Sequence, residues 1–386
     1  FYSLAFVAGM SILTACSSDD NNDNDGNGGN GNGNEIENGT ILKGTITSDV
    51  TLAAGNTYKL SGEYIVEEGA TLHIEEGVKI IAVYDDIADY ILVKQGGKIN
   101  AVGTPDKPIV MTSEKEEPGA WGGIHICGRA HTNAEGGKGS SEIGGAVYGG
   151  NDDADNSGTL QYIRLEYTGF AFDEEHEANG ISFYGVGNGT IVDHCQAYKG
   201  SDDGFEFFGG SVNVSNLVAV SCSDDSFDWT EGWNGKGTNL VAYQEAESTL
   251  GYDCDCLMEC DNNGSNNAAT PVAHPVLKNL ILVGNGGSKQ GIRLRAGTEV
   301  EIDNAKVCGK GQPLTVETAL TENALKNGTS KLTNITLTSE LSSKEGIYTH
   351  ADFIAVTSNK VDANLSYSSF EDIRKECSWM NGSWVK

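Results

Sequence analysis

The 386-residue chain carries 55 acidic residues against 25 basic ones, a formal net charge of −30. A surface this acidic repels nucleic acid and anionic lipid headgroups, so we expect no nucleic-acid partner, whereas cations such as Ca²⁺ are attracted. The 51 glycines and only 6 prolines are typical of a chain with many tight turns and argue against a proline-rich disordered chain.

The first element is an apolar run, residues 1–14, that leads into Leu13-Thr14-Ala15-Cys16. It resembles the lipobox of a bacterial lipoprotein signal peptide, which implies that residues 1–15 are a truncated signal and that Cys16 is acylated and anchored in lipid. Residues 16–39 are mostly Ser, Asp, Asn, Gly and Glu, which predicts a flexible acidic tether. The start of this tether resembles the export signal of Bacteroidetes lipoproteins, which implies the outer face of the outer membrane.

From about residue 40, short segments of alternating apolar and polar residues are separated by Gly, Asn or Asp. This pattern predicts strands and turns rather than long helices. Residues 200–210 return as 222–232, so that Asp202 and Asp203 reappear as Asp224 and Asp225. A fixed period near 22 residues predicts the stacked coils of a solenoid.

Longer motifs, among them residues 69–77, 160–167 and the Trp-rich end at 379–384, resemble right-handed parallel β-helix surface lipoproteins common in Bacteroidetes. Their solenoid is similar to that of pectate lyases and polygalacturonases, but the family has no established activity. The resemblance implies an all-β, right-handed parallel β-helix of roughly a dozen coils over residues 40–386. We expect long loops on one side of it, and looser coils or a cap from about residue 310.

One repeating strand predicts where the chemistry lies. Its copies are residues 180–185, 204–209, 226–230 and 291–295. Because strand side chains alternate between faces, the large apolar residues fill the coil and the others form an outward column. That column comprises Ser182, Glu206, Asp228 and Arg293. Strands lie about 4.8 Å apart, so Glu206 and Asp228 would be neighbours, and such like charges require a compensating cation or a functional reason.

The acidic residues around this column permit three interpretations. The Asp pairs can be corner-forming residues that bond backbone N–H groups. A calcium site is the second interpretation, with the carboxylates of Asp203, Glu206, Asp225 and Asp228 as ligands. The third is catalysis on a polysaccharide, with the catalytic candidates Asp202, Asp203, Asp224, Asp225 and Arg293.

The element Gly200-Ser-Asp-Asp203 is similar to the Gly-x-Asp-Asp element of polygalacturonase-type hydrolases. The Gly-His-Gly and Asn-Thr-Asp elements of those enzymes are missing, as is the Arg-x-Pro-x-x-Arg pattern of pectate lyases. We therefore expect Arg293 and Arg295 to pair with Glu299 or Glu301, although an exposed arginine near Ca²⁺ could act as a lyase base.

Aromatic residues and long loops complete the predicted site. We expect either exposed rings along the same ridge, because such rings stack on sugars while carboxylates bond hydroxyls, or a capping role for these rings. The predicted ligand-binding residues are Glu206, Asp228, Glu231, Tyr184, Phe208, Trp233 and Arg295. Residues 129–158 and 244–272 are predicted to be loops, and we expect disulfides rather than a metal at Cys254, Cys256 and Cys260 of the second loop.

The sequence thus predicts a surface-anchored lipoprotein that binds a glycan or another extracellular ligand, such as a protein, along an acidic ridge, with calcium as the candidate cofactor. The alternatives are a polysaccharide-degrading enzyme, either a glycoside hydrolase or a polyuronate lyase, and a structural adhesin without a small-molecule site.

Overall fold

The computed structural model describes residues 34–85, 87–172 and 176–386, so Cys16, the signal and most of the tether lie outside the described residues. The strands are β1 Asn34–Glu35, β2 Ile41–Ile46, β3 Val50–Leu52, β4 Thr57–Val66, β5 Thr71–Ile74, β6 Lys79–Ala82, β7 Tyr90–Val93, β8 Lys98–Val102, β9 Ile109–Ser113, β10 Ile124–Cys127, β11 Gly139–Ser140, β12 Val147–Tyr148, β13 Gly158–Glu166, β14 Ile181–Tyr184, β15 Ile191–Tyr198, β16 Phe205–Phe208, β17 Asn213–Val220, β18 Phe227–Thr230, β19 Lys236–Tyr243, β20 Met258–Cys260, β21 Val276–Val283, β22 Gln290–Leu294, β23 Glu301–Cys308, β24 Gln312–Val316, β25 Lys331–Leu337, β26 Ser342–Ser343 and β27 Lys360–Val361. The helices are α1 Glu247–Leu250, α2 Ala319–Asn327, α3 His350–Ala355 and α4 Phe370–Glu376, with 3₁₀ turns at Glu135–Gly137 and Ser378–Met380.

Nearly all strands pair in parallel with the corresponding strand of the next coil. Eleven of them form one continuous stack, here called sheet 1, which runs β2-β4-β7-β10-β14-β16-β18-β20-β22-β24-β26. The long strands from β13 to β25 bend in the middle, and their two halves build the other two sheets of each coil. The predicted right-handed parallel β-helix of roughly a dozen coils is confirmed.

The interior of the coils is filled by the apolar residues that alternate along these strands. In sheet 1, Phe183 stacks on Phe207 with ring centroids 5.0 Å apart, and Trp233 stacks on the other side of Phe207 at 4.2 Å. Each such buried side chain contributes about 1.5–3 kcal/mol to stability. Trp233 is only 1% exposed, so the prediction that it faces outward on a ligand-binding ridge is wrong.

A ladder of asparagines runs along the bends of the long strands. The bend residues Asn216, Asn239, Asn279, Asn304 and Asn334 all have positive φ, a conformation that asparagine tolerates better than most residues. The Asn239 amide donates to Asn216 Oδ1 at 2.8 Å, and the Asn279 amide donates to Asn239 Oδ1 at 3.0 Å. The amides of Asn239 and Asn279 thus bond both the coil before and the coil after.

Two long connections lie on one side of the solenoid, as predicted. Residues 128–157 join β10 to β13, and Asn133 in this loop donates to Asn262 Oδ1 at 2.8 Å and to Pro271 O at 3.0 Å. The second predicted loop, 244–272, is not continuous, because β20 returns to sheet 1 in its middle. Met258 and Cys260 point into the core and are at most 1% exposed, which fixes β20 as a coil strand.

All eight cysteines in the described part of the chain are free and buried, so the expected disulfides at Cys254, Cys256 and Cys260 are wrong. The physical reason is the strand alternation that turns Cys260 into the coil interior, while the Cys256 sulfur lies beside Asp255 Oδ1 at 3.3 Å.

Toward the C-terminus the coils carry the helices α2 and α4, in the region where looser coils or a cap are expected. After β27 the chain returns along the outside of the solenoid, where Ser383 N donates to Pro105 O at 2.8 Å and Arg164 donates to Ser383 O at 2.7 Å. Among the described helices, none is long and apolar enough to cross a membrane.

Candidate functional site

The acidic residues meet on the outer face of sheet 1. Phe205 pairs with Phe227, Asp228 with Glu259, and Glu259 with Arg293. The outward column therefore consists of Ser182, Glu206, Asp228, Glu259, Arg293 and Thr315. Glu259 was missed in the sequence because β20 lies inside a predicted loop. The signal that could have found it is its place between the apolar residues Met258 and Cys260.

A second column lies three residues before the first. Asp225 N donates to Asp203 Oδ1 at 2.8 Å, and Cys256 N donates to Asp225 Oδ1 at 2.6 Å. One oxygen of each Asp therefore does hold a coil corner, as in the corner-forming interpretation, but the bond joins successive coils. The second oxygen of each carboxylate is left for another role.

Carboxylate and thiol groups converge into four overlapping triads whose ligand atoms lie within 4.8 Å of one another. These triads are Asp202–Asp203–Asp224, Asp203–Glu206–Asp228, Asp225–Asp228–Glu259 and Asp225–Asp255–Cys256. Three of the four offer only oxygen atoms, the donors that Ca²⁺ prefers. The structure therefore brings together all four residues that the sequence nominates as calcium ligands.

The far end of this acidic region is neutralised by basic residues on and beside β22. Arg293 bonds Glu259 at 3.0 Å and Glu317 at 3.3 Å, while Arg295 bonds Asp261 at 2.7 Å and also contacts Glu259. Lys289 pairs with Asp255. Each of these basic residues thus meets a carboxylate of the coil that precedes it.

The expected pairing of Arg293 and Arg295 with Glu299 or Glu301 is therefore wrong. Glu299 accepts a hydrogen bond from His274 at 3.0 Å, and Glu301 pairs with Lys331 at 2.9 Å. The carboxylates around Arg293 raise the pKa of its guanidinium above the usual range even against burial. Arg293 consequently stays protonated and does not fit the role of a lyase base.

The two earlier coils contain six carboxylates that form no such ion pair with a described residue, although the charges of Arg295 and Lys289 act on Asp228 and Asp224 without direct contact. In the described ranges, no lysine or arginine forms an ion pair with Asp202, Asp203, Glu206, Asp224, Asp225 or Asp228. We call these six carboxylates, together with the two coils that carry them, the acidic coils.

Burial, followed by repulsion from neighbouring carboxylates, raises the pKa of Asp203, Glu206, Asp225 and Asp228 well above the usual range. The same causes raise the pKa of Asp202 to about 7. Without a bound cation, the acidic coils cannot all be ionised at neutral pH.

Two oxygen atoms at the acidic coils are buried and accept no hydrogen bond from any described residue. They are Asp228 Oδ1 and Asn179 Oδ1. Asn179 is 1% exposed, and its Nδ2 donates to Glu206 Oε2 at 2.6 Å and to Ser182 Oγ at 3.0 Å. A buried oxygen without a partner costs about 1–3 kcal/mol, so both atoms favour a missing electropositive partner.

The solvent side of the acidic coils is bordered by exposed acids. Glu142, from the long loop 128–157, accepts a hydrogen bond from the Tyr184 hydroxyl at 3.3 Å. Partial burial raises the pKa of Glu142 to about 7. Glu177 and Asp224 are also exposed beside Asp202. Sequence reasoning missed Glu142, because its contact depends on how a long loop folds back onto the coil.

The predicted ridge of exposed aromatic rings is wrong. Tyr184 and Phe208 do point out of the coil and stack at 4.4 Å, but they are 1% and 7% exposed because loop residues such as Ile143 and Tyr148 cover them. Glu231 accepts hydrogen bonds from Thr132 Oγ1 at 2.6 Å and from the Tyr148 hydroxyl at 2.8 Å. These residues therefore fasten the loop to the solenoid.

The comparisons with known proteins agree with this architecture. The family model described as a pectate-lyase-like beta-helix domain matches residues 44–385, so the chain belongs to that family. No curated protein sequence shows significant similarity to the chain.

Among solved structures, the Dettilon tailspike protein is similar, with a TM-score of 0.31 and 9% identity over 76% of this chain. The match covers 55% of the tailspike chain, and a similarity this weak adds nothing to the family assignment.

Proposed function

We propose that the protein binds Ca²⁺ in the acidic coils and an extracellular glycan above them. The observation that carries this proposal is the set of six carboxylates on two neighbouring coils without a basic partner among the described residues. Stacked carboxylates repel one another at the spacing of neighbouring strands. A divalent cation removes this repulsion and gives the buried Asp228 Oδ1 a partner.

Calcium fits this site better than the other common cations. It takes six to eight oxygen ligands in flexible geometry, and carboxylates, amide oxygens and water all serve. The donors here are carboxylates on a rigid sheet, beside the amide of Asn179, whose Nδ2 donates to Glu206. Magnesium demands near-ideal octahedral geometry and keeps several of its waters.

The glycan part of the proposal rests on the rim and on the family. Glu142, Glu177 and Asp224 are exposed, and carboxylates accept hydrogen bonds from sugar hydroxyls. A Ca²⁺ ion in the acidic coils would also offer a positive charge to a carboxylate of an acidic polysaccharide. The membership in the pectate-lyase-like family supports this class of ligand.

The test is a pair of melting curves of the protein, one in EDTA and one in excess Ca²⁺. A ligand that binds only the native state adds about 2.7 kcal/mol of stability when its concentration is 100 times Kd, so Ca²⁺ should raise Tm. Asp228→Asn should reduce the rise, whereas the matched change Asp106→Asn, at an exposed bend between β8 and β9, should keep it. An unchanged Tm in Ca²⁺ would refute the cation site and favour a structural adhesin.

Binding of the polysaccharide is tested with sodium polygalacturonate, using a neutral glucan as the control. We expect retention of the protein on polygalacturonate in Ca²⁺ and its release in EDTA. Retention that is the same in both buffers, or equal binding to the neutral glucan, would contradict a Ca²⁺-dependent glycan site.

A second candidate function is cleavage of such a polysaccharide. The observation that favours it is that the pKa values of Glu142 and Asp202 both lie at about 7, the range suited to general acid–base catalysis. The protein should then release new reducing ends from polygalacturonate. Glu142→Gln should slow that release at least tenfold while leaving Ca²⁺-dependent retention intact. If the wild type releases no new reducing ends, cleavage is refuted and only the binding function stands.

We also propose that acylated Cys16 anchors the protein in the outer membrane, with the β-helix facing the cell exterior. The support is the sequence that precedes the cysteine. Expression in cells fed a labelled fatty acid should label the wild type but not Cys16→Ser, and protease added to intact cells should degrade only a surface-exposed protein. An unlabelled wild type would refute the anchor.

A further inference from the structure

Two of the triads are the same arrangement repeated one coil apart. The register pairs Glu206 with Asp228 and Asp228 with Glu259. A one-coil step therefore moves the triad Asp203–Glu206–Asp228 onto the triad Asp225–Asp228–Glu259. Asp228 belongs to both triads, as the last member of the first and the middle member of the second.

We propose that the acidic coils bind two cations, one in each of these triads, with Asp228 as the ligand that both share. This inference rests on the cation binding proposed above and adds the number of ions and their order. One coil step separates equivalent points by about 4.8 Å. Two-metal sites hold their ions about 3.5–4 Å apart, so a pair related by one coil step would be somewhat more widely spaced, and Asp228 would link it through its two carboxylate oxygens.

The buried oxygens that have no hydrogen-bond partner among the described residues also support this placement, and they do so independently of the number of acidic residues at the site. Asp228 Oδ1 is one of them, and it belongs to the side chain that the two triads share. Asn179 Oδ1 is the other, on an amide that is 1% exposed and bonded to Glu206 of the first triad. Each lacks a donor among the described residues, and a cation would supply the missing partner.

The coils on either side of the two triads do not continue the column of carboxylates. In the coil before the first triad, the column residue is the neutral Ser182. In the coil after the second triad, the column residue is Arg293, whose guanidinium bonds Glu259 at 3.0 Å. The arginine is thus a built-in counter-ion at the next step of the repeat. This limits the cations along this column to two.

The number of bound ions decides between the two proposals. Calorimetric titration of the EDTA-stripped, dialysed protein with CaCl₂, checked by native mass spectrometry, should give two Ca²⁺ ions per chain. One ion would overturn the bridged pair and leave the proposed calcium site standing. No binding would overturn both proposals.

Single substitutions then test the sharing of Asp228. Glu206→Gln should weaken one binding step about tenfold, because ligand charge sets affinity, and Asp225→Asn should weaken the other. Asp228→Asn should weaken both steps, and loss of only one would overturn the shared ligand. A melting curve of each variant in EDTA checks that it is folded.

Arg293→Met supplies a variant with the opposite expectation. Removing the guanidinium leaves Glu259 with the contact of Arg295 alone instead of two arginines, so Ca²⁺ should bind the second triad several-fold more tightly. Unchanged or weaker binding in a folded Arg293→Met protein would contradict the place of Arg293 at the end of the series.

Discussion

The asparagine ladder and the acidic coils are built by the same repetition, yet they have opposite electrostatics. Asn216, Asn239 and Asn279 stack so that the amides of the last two each donate to the asparagine of the preceding coil, at 2.8–3.0 Å. Asp203 and Asp225 likewise occupy equivalent positions on successive coils, just before β16 and β18, but ionised carboxylates only accept hydrogen bonds. The asparagine ladder supplies its own hydrogen-bond donors and acceptors, whereas the stacked carboxylates depend on donors or cations from elsewhere.

The difference shows what repetition does in a solenoid. A side chain at a fixed position in the coil lies about 4.8 Å from the side chain at the equivalent position in the next coil. The repeat therefore extends the chemical character of that side chain along the solenoid. An amide with a donor and an acceptor becomes a continuous hydrogen-bonded chain. A carboxylate becomes a line of repulsion, which is stable only if a partner is bound.

The largest effect is expected from breaking the satisfied ladder. Asn239→Leu removes two side-chain hydrogen bonds, each worth about 1 kcal/mol, and places a branched residue at φ +59°, which costs about 1–2 kcal/mol. The free energy of unfolding in urea should fall by about 3 kcal/mol. The same substitution at the exposed Asn364 should change it by less than about 0.5 kcal/mol, and equal losses would contradict the ladder.

A smaller effect of opposite sign is expected when the acidic ladder is made to resemble the asparagine ladder. Asp225→Asn keeps an acceptor for Cys256 N, bonded at 2.6 Å, and removes a charge that Asp203 and Asp228 repel. In EDTA at neutral pH, urea unfolding should show a gain of about 1 kcal/mol.

Asp225→Ala is the matched comparison, because it removes the charge and the acceptor together. The buried Cys256 N–H then loses its partner, which costs about 1–3 kcal/mol. Asp225→Ala should therefore be clearly less stable than Asp225→Asn, and a rank order with Ala above Asn would refute the corner role.

The coil architecture could be predicted from the sequence because it depends on local rules. Alternation of apolar residues, glycine-bounded segments and the offset between residues 200–210 and 222–232 specify parallel strands that stack in register. The same rules place Glu206 beside Asp228. The sequence therefore predicts those features of the fold that the regular repetition of the coils controls.

The predictions that were wrong or incomplete depend on where the long loops return to the solenoid. Glu142 reaches Tyr184 from a loop whose path no periodic pattern specifies, and the same loop buries Tyr184 and Phe208. The partners of Arg293 and Arg295 depend on β20, which has only three residues and follows an irregular segment. Irregular loops thus decide which parts of a regular sheet meet solvent.

The smallest predicted effect concerns pH. Folding raises the pKa of Asp202 from 3.8 to about 7, chiefly by burial. The fold therefore favours the protonated carboxyl, so the contribution of Asp202 to stability is fully present below pH about 4 and is lost as pH rises through about 7.

This loss is measured by melting the protein in EDTA at several pH values between 4 and 8, with Asp202→Asn as the comparison. Subtracting the two curves removes groups with the opposite sign, such as Glu322, whose pKa is lowered by four hydrogen bonds from Ser343 and the segment 345–348. The wild type should lose stability relative to Asp202→Asn as pH rises, and Ca²⁺ should restore it. A difference that is independent of pH would show that Asp202 ionises as freely in the fold as in the unfolded chain, and the acidic coils would then need no partner there.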